Sequence, residues 1–72
     1  MKIAHVHWKD AWFSYDDTDK REPKIMDTVG ILVDDDPKGI TVAQDMDEDG
    51  FRALTFIPRV LIQWVNFYGE EK

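Results

Sequence analysis

Two histidines placed two residues apart, His5 and His7, are the first side chains in this sequence whose type and spacing can do chemistry. On an extended strand that spacing puts both imidazoles on one face, where they can chelate zinc if a third ligand approaches. The only carboxylate close to them in sequence is Asp10, and the chain has no cysteine and no further histidine to complete a set. Two exposed histidines on an edge strand is the preferred reading, and no metal or other cofactor is expected.

A second candidate is Asp45-Met46-Asp47-Glu48-Asp49-Gly50, which repeats the D-x-D-x-D-G opening of a calcium loop. The match then fails, because the ninth position holds Ala53 and the twelfth, where a bidentate Glu belongs, holds Phe56. The segment reads as an acidic hairpin. For nucleophilic catalysis the sequence offers Ser14, the threonines and two histidines, but a triad also needs an oxyanion arrangement and a pocket, and a small barrel is filled by its own side chains. The paired carboxylates lie in turns open to water, where nothing raises a pKa for acid catalysis. A non-enzymatic protein is expected.

Charge narrows the partners. Nine Lys and Arg against fifteen Asp and Glu give a formal net charge of −6 over 72 residues, which repels a phosphate backbone at long range. Nucleic acid is therefore disfavoured, as is nucleotide binding by a glycine loop, and a basic protein is the partner this charge suits. Without cysteine neither a disulfide framework nor a thiolate site can staple the fold. No apolar run approaches membrane-spanning length and the first residues do not read as a signal peptide, so a soluble cytoplasmic protein with no membrane partner is expected.

The elements that must position these groups follow from the turns. A chain this short supports a single domain, 1–72, and its nine aromatic residues supply the large side chains that a small core needs. Residues 3–8 alternate, with Ala4, Val6 and Trp8 on one face, expected to be buried, and Ile3, His5 and His7 on the other. Residues 9–24 form a polar loop with Trp12, Phe13 and Tyr15 at its start. A β-branched strand at 28–33 carries Val29, Ile31 and Val33 on one face, with Gly30 admitting a bend or a close backbone approach. Asp34-Asp35-Asp36-Pro37-Lys38-Gly39 then has hairpin chemistry, Pro presetting φ and Gly accepting positive φ. Strands at 40–46 and 51–57 flank the Asp49-Gly50 turn, and Pro58 starts a 3₁₀ turn over 58–61. The last run, 62–67, also fits helical spacing. Its β-branched and aromatic content, and the need for a closing partner, favour a strand.

Three stretches carry a resemblance. Thr28-Val29-Gly30-Ile31-Leu32-Val33, then Ile40-Thr41-Val42-Ala43-Gln44, then Phe56-Ile57-Pro58-Arg59-Val60-Leu61-Ile62, with an early strand Val6-His7-Trp8-Lys9-Asp10, resemble small uncharacterised phage and prophage proteins. Those proteins run roughly S-V-G-[WF]-L-V, V-L-A-[QPS] and [VI]-I-P-[KR]-x-x-I. The resemblance implies an all-β fold, a five-stranded SH3-like or Sm-like barrel with a short 3₁₀ turn before the last strand, and it hands over no catalytic residue. Two departures stand out: Trp64 replaces a charged residue, and the cluster at Trp12 and Phe13 is heavier. The expected function is a phage-encoded binding module acting on a host or rival protein in the host cytoplasm. One version has Asp34, Asp35, Asp36, Asp45, Asp47 and Asp49 mimicking nucleic-acid charge before a basic groove. The alternative is a homo-oligomeric Sm-like ring holding a small ligand such as a nucleotide signal between subunits. The surplus aromatics Trp8, Trp12, Phe13, Tyr15, Trp64 and Tyr68 are the candidate binding residues.

Overall fold

The computed structural model describes residues 1–10 and 24–69. They form five strands, β1 Ile3–Lys9, β2 Ile25–Asp36, β3 Gly39–Asp47, β4 Gly50–Pro58 and β5 Ile62–Tyr68, with a single 3₁₀ turn, Arg59–Leu61, ahead of the last. All pairings are antiparallel, in one sheet of order β4-β3-β2-β1-β5. The expected all-β class, strand count and 3₁₀ turn are what is found. The final run is a strand, because β1 offers it a free edge along nearly its whole length.

Both hairpins are built alike. Asp36 Oδ1 accepts the backbone N–H groups of Lys38 at 2.7 Å and Gly39 at 3.1 Å, and Asp47 Oδ1 accepts that of Asp49 at 2.8 Å. In each, an aspartate side chain takes the turn amides that the ladder leaves over. Gly50 has φ +126°, as the Asp-Gly turn requires. Gly39 does not adopt positive φ, contrary to expectation. It is needed for space, since a Cβ there would lie 2.3 Å from the Ile57 carbonyl oxygen and 2.6 Å from the Phe56 ring.

Strand β2 exceeds its expected length at both ends. Asp34 and Asp35 are not turn residues, and with Asp36, which flanks the turn, they pair with Thr41, Ile40 and Gly39 beyond a bulge at Val33, while Ile25 to Asp27 pair with Lys9 to His7. Aspartate is a poor strand former, so the composition hid the extension. Arg59 holds this end by donating to the Asp35 carboxylate and, at 2.6 Å, to the Asp36 carbonyl oxygen.

The core lies on the concave side. Ala4, Val6, Ile40, Val42 and Ile57 are buried together, with Trp8, Leu32, Ile62 and Val65 packed against them. Ile57 of β4 and Ile62 and Val65 of β5 belong to one cluster although their strands are the two edges of the sheet. The sheet therefore curls until its edges share a core, as a small barrel must. Beyond Ala43 the β3–β4 hairpin leaves this core, and every residue from Gln44 to Phe56 except Gly50 is exposed. Ala53, at φ 57°, sits in the left-handed region within that arm, where the ladder skips from Ala43↔Leu54 to Asp45↔Arg52.

Candidate functional site

The sequence signature of the site is the odd parity of β1. With Ala4, Val6 and Trp8 turned into the core, strand alternation forces Ile3, His5 and His7 outward. Directly opposed residues in antiparallel strands project to the same side. Register therefore assembles the outer face: Tyr68, Ile3, Ile31, Ala43 and Leu54 stand in one row that crosses β5, β1, β2, β3 and β4 in order. All five side chains are apolar or aromatic, and Leu54 and Tyr68 are 57% and 53% exposed. Val29, one row away beside His5, is 57% exposed.

Next along the same face is a polar cluster. His7 lies opposite Asp27 on one side and Trp64 on the other. Asp27 Oδ1 accepts from His7 Nδ1 at 2.8 Å and from His5 Nε2 at 2.9 Å. For both bonds to form, His5 carries its proton on Nε2 and His7 on Nδ1. The His7 ring stacks on Trp64 at 4.8 Å with only 5° between planes, and His5 meets the same indole edge-on at 5.0 Å. The N–H donated by His7, then that donated by His5, holds the Asp27 carboxyl below the ordinary aspartate value. Asp27 is thus an ionised, half-exposed carboxylate fixed beside an aromatic plane.

The expected site residues separate. Trp64 and Tyr68 share the outer face at the two ends of β5. Trp8 lies on the other side of the sheet, half-buried against the core, its Nε1 donating to Thr28 Oγ1 at 3.0 Å, so it supports the core and does not meet Trp64. Trp12, Phe13 and Tyr15 lie outside the described residues. The carboxylate that His5 and His7 face is Asp27 of β2 and not Asp10, whose backbone N–H donates to the Lys24 carbonyl oxygen at 2.7 Å. Among the described residues no group of three or more His, Cys, Asp or Glu side chains is arranged to hold a metal ion. In the acidic hairpin Asp47 is occupied by the Asp49 amide and by Arg52 at 3.5 Å. Sequence reasoning found the two histidines and Trp64 but missed Asp27 and the apolar row, both products of strand register.

No helix among the described residues is long and apolar enough to cross a membrane. Compared with known protein families, with curated proteins and with solved structures, the chain matches none of them.

Proposed function

We propose that this chain is a non-enzymatic binding module that docks a protein partner on the outer face of its sheet. The observation that carries this reading is the row Tyr68, Ile3, Ile31, Ala43 and Leu54, apolar or aromatic on every strand, whose two ends Tyr68 and Leu54 are exposed while Ile3 and Ile31 are half-buried and Ala43 is buried. An apolar strip rimmed by polar groups is the composition of a protein contact surface. The formal net charge of −6 favours a basic partner. The likeness of the sequence to small phage proteins supports a partner in a bacterial host, which such a module would modulate. In the acidic-mimic version, the aspartates of the two hairpins would stand in for phosphates.

The test is affinity capture from bacterial lysate with the native chain and with the double variant Leu54→Asp, Tyr68→Asp, after circular dichroism has shown that both fold. A protein held by the native chain and released by the double variant is the expected result. Identical captured sets would overturn the assignment of the outer face.

One further observation favours a second reading. Strands β4 and β5 are the two edges of the sheet, and among the described residues neither has a second strand neighbour. Edges of this kind can pair between copies head to tail and close a ring, with a small ligand such as a nucleotide between subunits. Sedimentation velocity at high concentration separates the readings, since a species of 8.5 kDa alone removes the intersubunit pocket.

A further inference from the structure

We propose that Trp64, His7 and Asp27 form a seat for an arginine side chain of the partner. This deepens the outer-face reading above and rests on it. Three observations converge. First, the indole of Trp64 is 42% exposed although His7 covers part of it with a nearly parallel ring, so an aromatic surface remains available on an otherwise polar part of the face. Tryptophan joins a large apolar body to a polar N–H and is enriched at interfaces for that reason.

Second, the register sets an ionised carboxylate in the same row, with His7 between Asp27 and Trp64. A guanidinium suits both kinds of group, because its plane stacks on an indole and its edge donates hydrogen bonds to a carboxylate. An ammonium can do one or the other, but it has neither a plane to stack nor a fork to present.

Third, the geometry is fixed in advance. Two imidazoles tether one carboxylate oxygen, one of them stacks on Trp64, and all four side chains stand on three adjacent strands. A cation arriving there has little ordering left to do, and pre-organisation of this kind turns modest contacts into usable affinity.

The experiment is calorimetric titration of the full chain with octa-arginine, octa-lysine and octa-glutamate peptides at about 20 mM salt, where surface attraction is weakly screened. Asp27→Asn and Trp64→Ala test the seat, and Asp49→Asn removes an equal charge away from it. Octa-arginine is expected to bind more tightly than octa-lysine, with octa-glutamate silent. Asp27→Asn and Trp64→Ala are each expected to weaken octa-arginine about fivefold or more, and Asp49→Asn by less than about twofold, as loss of one local contact against one screened charge predicts. Equal losses in all three variants, equal affinity for the two basic peptides, or no binding by the native chain would each overturn the seat. Should Asp27→Asn fail to fold, Trp64→Ala and the milder Trp64→Phe decide. If these variants leave octa-arginine binding unchanged while Leu54→Asp, Tyr68→Asp still abolishes partner capture, the seat alone is wrong. If capture also survives, the outer-face reading falls with it.

Discussion

Asp27 joins three strands through side chains alone, since it accepts from both histidines of β1 and one of those stacks on Trp64 of β5. Its carboxyl titrates below its ordinary value because the folded chain surrounds the anion with N–H donors, those of His7 first and His5 second. Asp36 behaves alike, lowered first by the backbone N–H of Lys38 and then by that of Gly39. A depressed carboxyl pKa adds stability that is complete above the unfolded value, about 3.9, and is lost as pH falls through the lower folded value. Thermal unfolding followed against pH should therefore show a midpoint that falls below about pH 4, and Asp36→Asn should flatten that fall while lowering the midpoint at neutral pH. An acid limb unchanged by the substitution would remove Asp36 from the account. Of the residues on the outer face, His5 and His7 were legible because their spacing is local. Asp27 was not, because which β2 residue faces His7 depends on a pairing register that no local pattern specifies.

At the scale of elements, the hairpins were the most legible part, since Asp-Pro-Lys-Gly and Asp-Glu-Asp-Gly carry their turn chemistry in four residues. What the pattern could not reveal is that Gly39 serves packing. It is buried, with the Phe56 ring and the Ile57 carbonyl closing over the place of its missing side chain. The carbonyl belongs to the paired strand and cannot swing aside as a flexible side chain would. Gly39→Ala is accordingly expected to cost about 2–3 kcal/mol, the range of an overpacked interior, and to lower the melting midpoint of so small a protein by about 10 °C or more. Lys38→Ala, one residue away and exposed, serves as the control and should stay within about 0.5 kcal/mol of the native chain. Equal melting of the two variants would show that β4 has room to retreat. The extension of β2 escaped the sequence for a related reason: three aspartates argue against a strand unless the partner, here Gly39 to Thr41, and the Arg59 tie at Asp35 and the Asp36 carbonyl are already known.

In the whole molecule, three ladders join strands that follow one another in the chain and one joins the first strand to the last. The β2–β3 and β3–β4 pairings close through two-residue turns, whereas β1–β5 sets Ile3 against Tyr68 and His7 against Trp64. The fold class was readable because the turns announce a meander of short strands. The outer face was not, because its composition is the sum of four registers. The β1–β5 ladder has a further consequence in time. β5, like β4, is an edge strand on one ladder, aided in the core by Ile62 and Val65, so its detachment is a low-cost opening of this topology. Such an opening takes Trp64 away from His7 and dismantles the outer face while Ile40, Val42 and Ile57 stay packed. Amide hydrogen exchange should therefore be faster in β5 than in β3, and a bound octa-arginine peptide should slow β5 while leaving β3 unchanged. Uniform exchange across the two strands would mean that the sheet opens as one unit. If β5 does open first, the interval for which the face exists becomes a quantity that a partner lengthens by binding, and the chain would register its own occupancy as the lifetime of a single strand.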